Sequence, residues 1–318
     1  RLLIKNKEVI NMCGIGGYYR SSNNKNTSNR MKPAIRNLWD NLQERGLDAS
    51  GIAYESPTGT RSIKRDRPSF EMSTLGTNLA FGMNRTPRWV MLHTRAATHG
   101  KPELNRNNHP LMAKGLALCH NGVVYNKEEV LDRYNIPAKR EVDTEAILVA
   151  LKKGGINHVS KYVSGSMSLT WAKGKNMYLW TNGKSPLVIG ELFNGDYMYA
   201  STDKLLMTTD LRFKQVFNAK KGHLYRFTPK GMFVNRTFFR EEKSYYTQPS
   251  WRELSQNKTP KIVRKPYLKP SIDFSMPEEK TNSAQYDESQ QTLEVEYEWE
   301  AICGDWRAWS KKSKEMKQ

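Results

Sequence analysis

An α+β domain built on antiparallel sheet is the fold class that this sequence predicts for its first three quarters, and three observations carry the expectation. Apolar runs of strand length recur at residues 89–92, 115–124, 166–172 and 186–193. Two segments have helical period. Met31, Ile35, Leu38, Trp39 and Leu42 form one stripe. Ile147, Leu148 and Leu151 form another, after the capping candidate Asp143-Thr144. The short strands also outnumber the helices and do not alternate with them, which argues for helices packed on antiparallel sheet and against a βαβ succession.

Composition narrows the function classes. The chain has 318 residues, 37% hydrophobic and 26% charged, with mean hydropathy −0.75. No stretch approaches the roughly 18 consecutive apolar residues that a membrane helix needs, and no membrane role is expected. Cys13, Cys119 and Cys303 lie far apart without a CxxC pair. That argues against a disulfide framework or a cysteine zinc site and for a reducing, cytoplasmic setting. The net charge of +19 is unevenly spread: residues 1–240 carry 38 Lys+Arg against 18 Asp+Glu, residues 241–318 carry 13 against 14. The basic excess fits a nucleic-acid partner, an acidic protein partner or merely a basic proteome, and no aromatic-plus-basic binding motif accompanies it.

Residues 11–238 look folded. From 239 to 292 Lys, Arg, Pro and acidic residues mix without hydrophobic period, as in a disordered linker. Residues 293–318 regain three Trp, Tyr297 and Ile302, which fits either a docking segment or a small packed helix.

Chemistry is concentrated in short blocks. Cys13-Gly14-Ile15-Gly16-Gly17 comes first; alone it reads as core or as a weak nucleotide loop. Arg45-Gly46-Leu47-Asp48 follows, then His93-Thr94-Arg95-Ala96-Ala97-Thr98-His99-Gly100, Asn108-His109-Pro110, His120-Asn121-Gly122 and Asp143-Thr144-Glu145. In this order the set resembles the class II glutamine amidotransferases. These are the N-terminal-nucleophile glutaminases that open asparagine synthetase, glucosamine-6-phosphate synthase and amidophosphoribosyltransferase. The resemblance spans about residues 13 to 227 and includes Ser185-Pro186-Leu187 and Ala200-Ser201-Thr202-Asp203.

The resemblance implies a four-layer αββα sandwich with no cofactor and no metal. It implies that Cys13 attacks the side-chain amide of L-glutamine, with its own α-amine as base. Such an amine has a reference pKa near ~8, suited to accepting and returning a proton at neutral pH. Asn121 and the main-chain N–H of Gly122 would form the oxyanion hole, although Asn-Gly between apolar strands also reads as a hairpin turn. Arg95 would hold the substrate carboxylate, assisted by backbone groups of Thr98 and His99. Asp143 would pair with the substrate ammonium, a role compatible with capping a helix. Arg45 and Gly46 would shape the pocket beside the nucleophile, with Asp48 stabilising that loop. His93, His109 and His120 lack ligand spacing and are expected to be structural; Cys119 is expected in the core. Ala96 departs from the glucosamine-6-phosphate synthase branch, where a Trp stands.

Residues 1–12 must be absent if the amine of Cys13 is to act. They read as a propeptide, as translated leader ahead of an initiator Met12, or as a retained segment that silences the site. The leader is favoured because Lys7-Glu8 can be encoded by a ribosome-binding sequence. The expected organisation is therefore residues 1–12 as leader, 13–238 as glutaminase domain, 239–292 as linker and 293–318 as docking segment. The expected function is a stand-alone subunit that passes ammonia to a separate acceptor enzyme. The alternatives are a hydrolase of another γ-glutamyl amide, or a non-catalytic scaffold or nucleic-acid-binding protein.

Overall fold

The computed structural model describes residues 13–21, 28–82 and 86–237. The expected leader, linker and docking segment lie outside these residues. The chain divides at Tyr245 into two units, and everything described falls in the first, Arg1–Tyr245.

Two antiparallel sheets form the middle of the domain. The first has seven strands: β1 (Gly14–Tyr19), β2 (Ala49–Ser56), β3 (Gly59–Arg65), β4 (Trp89–Arg95), β9 (Val188–Leu192), β10 (Tyr197–Ala200) and β11 (Phe213–Asn218). Their order is β11-β9-β10-β1-β4-β2-β3, which makes β1 the central strand. The second has β5 (Leu111–Ala113), β6 (Leu116–Val124), β7 (Gly165–Lys173), β8 (Asn176–Thr181), β12 (His223–Thr228) and β13 (Gly231–Arg236). Their order is β13-β12-β8-β7-β6-β5.

Alternation along the strands separates three cores, because successive side chains leave opposite faces. On β1, Tyr18 points outward to helices α1 (Ser28–Leu42) and α2 (Ser69–Phe81), while Ile15 and Tyr19 point inward. The inward face meets Ala117, Cys119, Leu179 and Phe227 of the other sheet. That sheet's outer face packs under α3 (Lys127–Arg133) and α4 (Thr144–Tyr162) through Leu118, Leu169, Ile147 and Leu151. Helix, sheet, sheet, helix is the expected αββα order. A short α5 (Asp203–Met207) adds Leu205 and Leu206 to the first core.

The stripe of Met31, Ile35, Leu38, Trp39 and Leu42 is buried as its spacing requires. Helix α2 was not legible, for a physical reason. Its buried side carries Ser69, Ser73, Gly76 and Thr77 beside Met72, Ala80 and Phe81, so the apolar period is broken by small polar residues. The structure decides two alternative local readings. Asn121-Gly122 is not a hairpin turn: it lies inside β6, opposite Ser168 and Met167 of β7. Asp143 precedes α4 but has αR dihedrals and makes no side-chain capping bond; its carboxylate is turned to β6. Among the described residues no helix is long and apolar enough to cross a membrane.

Candidate active site

Cys13 stands immediately before β1, the central strand, where that strand leaves the sheet beside the end of β4. Its Sγ lies 3.5 Å from the Ala96 carbonyl oxygen, to which it donates. Burial pushes the thiol up to about 11, against the pull of Arg95 and Arg45, with Asp143 adding to the rise. The thiol therefore stays protonated at neutral pH and needs a base before it can attack. Those same three charges identify its neighbours: Arg95, Asp143 and Arg45 all act on it electrostatically.

Arg45 donates from Nε to the Cys13 carbonyl oxygen at 3.2 Å. Its Nη2 is buried without a partner among the described residues. Gly46 lies against the end of β4 so closely that a Cβ there would fall 2.3 Å from the Arg95 carbonyl carbon. Asp48 joins the same two loops, accepting from Ala97 N at 2.7 Å while its own N–H donates to Arg95 O at 3.0 Å. These bonds place the turn at 45–48 around the nucleophile, with Asp48 as the loop fastener expected.

Arg95 is buried at the end of β4. Its Nη1 donates to Asn108 Oδ1 at 2.7 Å, and its Nη2 donates to the carbonyl oxygens of His99 and, at 2.6 Å, Gly100. In this conformation the guanidinium holds its own loop closed. Thr98 and His99 are exposed, with His99 Nδ1 3.2 Å from Thr98 Oγ1. An open cleft of about 790 Å³ runs along residues 100–104 and Glu141. None of Cys13, Arg95, Asn121 or Asp143 lines it.

Across the sandwich, β6 faces β1 and carries Asn121 and Gly122. The Asn121 side chain is fully buried, yet neither atom of its amide has a hydrogen-bond partner among the described residues. A buried amide left open costs roughly 1–3 kcal/mol. Gly122 has φ +143°, and a Cβ would sit 1.8 Å from Ser166 O; only glycine fits. Asp143 accepts from Val124 N at 2.6 Å through Oδ2.

The three histidines are buried. His93 Nε2 lies 3.0 Å from His109 Nδ1 and 3.3 Å from His120 O, one residue before Asn121. Burial is the main force holding all three rings below the usual histidine range, His93 at about 3. His93 bonds His109 and main chain, and His120 bonds main chain and Thr144, while His93 Nδ1 and His109 Nε2 have no partner among the described residues. Cys119 is in the inter-sheet core. Asn108, which holds Arg95, and Thr144, which joins His120, were present in the sequence blocks but carried no signal of a role, because their partners are remote in sequence.

A two-sheet sandwich with helices on both outer faces and a cysteine at the head of its central strand is the architecture of the N-terminal-nucleophile hydrolases. Comparison with known proteins specifies the branch. The family described as "Glutamine amidotransferase domain" matches residues 79–260, which include Arg95, Asn121 and Asp143 but not Cys13. The chain belongs to the glutamine amidotransferase domain family, in its class II branch. It is 27% identical over 282 residues to the glutamine–fructose-6-phosphate aminotransferase of Listeria monocytogenes, covering 80% of this chain and 44% of that protein. The enzyme of the same name from Symbiobacterium thermophilum is 30% identical over 238 residues, covering 70% and 36%. The chain thus spans less than half the length of these relatives. The glutamine phosphoribosylpyrophosphate amidotransferase of Bacillus subtilis shares the fold, with TM-score 0.55 and 19% identity over 72% of this chain and 50% of that one.

Proposed function

We propose that this chain hydrolyses L-glutamine to glutamate and ammonia through a thioester on Cys13. The observation that carries the proposal is the Asn121 amide, buried and unpartnered on the strand that faces Cys13. With residues 1–12 removed, the Cys13 α-amine takes the thiol proton and the sulfur attacks the glutamine Cδ. The carbonyl electron pair moves to oxygen, where Asn121 Nδ2 and the Gly122 N–H stabilise it. On collapse the C–N bond breaks, and nitrogen leaves as ammonia after receiving the proton from the α-ammonium. Water then attacks the thioester, returning the thiol and releasing glutamate. Arg95 takes the α-carboxylate and Asp143 the α-ammonium, which supports glutamine or a related γ-glutamyl compound as substrate. Arg45 and Gly46 keep the Cys13 main chain in place, and backbone groups at Thr98 and His99 complete the carboxylate end.

The same proposal assigns the ammonia to a separate acceptor enzyme, docked through residues 293–318. The relatives' names, an aminotransferase acting on fructose-6-phosphate and an amidotransferase acting on phosphoribosylpyrophosphate, support transfer of the amide nitrogen to an acceptor.

The test is intact mass before and after 6-diazo-5-oxo-norleucine. The expected result is a chain beginning at Cys13 that gains one adduct, with no adduct in Cys13→Ala. A processed chain that stays unlabelled would redirect the assignment to another γ-glutamyl amide. A chain that keeps residues 1–12 and stays unlabelled would overturn the enzyme reading in favour of a scaffold.

A further inference from the structure

Thr144 opens α4 beside Asp143 and is fully buried. Its Oγ1 lies 3.0 Å from His120 Nδ1 and 3.3 Å from Asp143 Oδ1. The other nitrogen of that ring, His120 Nε2, lies 3.1 Å from the Ser166 carbonyl oxygen. Ser166 is on β7, and its carbonyl occupies the space a Gly122 side chain would need. Asp143 Oδ2 reaches Val124 N, three residues beyond Asn121. The side chains of His120, Thr144 and Asp143 therefore close a ring with the main chain of β6, and Asn121 and Gly122 lie on the arc that this ring encloses.

Donor accounting orients the ring. A carbonyl oxygen can only accept, so His120 Nε2 carries hydrogen and donates to Ser166 O. Burial favours the neutral imidazole. The ionisable groups acting with it are Asp143 from the head of α4 and, between the sheets, His93 and His109. A neutral ring with hydrogen on Nε2 has a lone pair on Nδ1, and among the described residues the Thr144 hydroxyl is the group placed to donate to it. A hydroxyl has one hydrogen. His120 Nδ1 at 3.0 Å and Asp143 Oδ1 at 3.3 Å are both within reach of the Thr144 hydroxyl, and its one hydrogen, given to the shorter contact, leaves Asp143 Oδ1 without it.

We propose that Thr144 is a positioning residue of the glutamine site: its hydroxyl donates to His120 Nδ1, locking the strand that carries Asn121 and Gly122, and so leaves Asp143 Oδ1 open to the substrate ammonium. The inference rests on the glutaminase reading above. Two consequences separate it from a filler role. Loss of the hydroxyl slackens the oxyanion strand, an effect on kcat. It leaves the Asp143 carboxylate open, so KM for glutamine stays nearly constant.

The experiment compares processed wild type with Thr144→Val and Thr144→Ser, each normalised to the fraction of Cys13 labelled by 6-diazo-5-oxo-norleucine. Thr144→Val is isosteric and lacks the donor; its kcat is expected to fall at least tenfold with KM within threefold, and Thr144→Ser to recover kcat to within threefold of wild type. An unchanged kcat in Thr144→Val overturns the proposal, as does a rise in KM alone. Absence of turnover in wild type would instead be the failure of the glutaminase reading. The ring is then still readable by two-bond ¹H–¹⁵N spectra assigned with His120→Gln. Hydrogen on Nε2 is the expected state, and hydrogen on Nδ1 overturns the proposal whatever the activity.

Discussion

The carboxylate of Asp143 accepts the main-chain N–H of Val124 at 2.6 Å, which ties the head of α4 to the strand that carries Asn121. The proposed substrate-ammonium receptor and the proposed oxyanion donors are thereby parts of one rigid unit.

Asp143→Asn should therefore raise KM for glutamine about 30- to 100-fold, the equivalent of losing a charge-assisted bond of roughly 2–3 kcal/mol. Steady-state kinetics with glutamine, set against a γ-glutamyl substrate whose amine is blocked, checks this. Equal losses for both substrates would show that Asp143 only braces β6.

Asn121→Ala should lower kcat by ~10²–10³ with little change in KM, the usual cost of one oxyanion donor. Because the amide makes no hydrogen bond within the described residues, its removal should not lower thermal stability. A variant that melts several degrees lower would mean that the amide has a structural partner.

Gly122→Ala should fail on both counts. Its Cβ would meet Ser166 O at 1.8 Å, and φ +143° is strained for any residue with a side chain. Reduced labelling of Cys13, together with a lower melting temperature, is the expected outcome. A crystal structure of the variant with β6 and β7 unmoved would refute it.

Acid should destabilise the domain before its carboxylates titrate. His93 is buried and neutral, held at about 3 by burial, whereas in the unfolded chain it titrates near ~6.5. The unfolded state thus binds more protons below ~6.5. The contribution is fully present above that pH and is lost as pH falls toward 3, at about 1.4 kcal/mol per pH unit for such a group. His109 is shifted the same way. Urea titrations between pH 6.5 and 5 should show this slope, and His93→Gln should lessen it, with the other buried histidines supplying the rest; an unaltered slope would exclude His93 as a source.

Much of the architecture was legible because it repeats locally. The α1 stripe and the strand runs at 89–92 and 166–172 are periodic patterns that burial then obeys. The order of Cys13, Arg95, Asn121 and Asp143 was legible only through its likeness to a family, since no spacing between them implies proximity. Helix α2 escaped because its buried side is built from Ser, Thr and Gly. Asn121-Gly122 looked like a turn because that dipeptide favours one locally, but pairing with β7 overrides the preference.

What the sequence determined by itself was the list of chemical groups and the two periodicities that assign residues to inner and outer faces. Only the tertiary structure decided which groups meet. His120 bonds Thr144 rather than a neighbouring cysteine, and Asp143 reaches β6 rather than capping α4. It also decided that the Asn121 amide stays unpartnered within the described protein. The reason is that hydrogen bonds between side chains far apart in the chain depend on how the sheets stack and how β6 and β7 register. Those are set by the summed burial of three cores, to which each site residue contributes almost nothing.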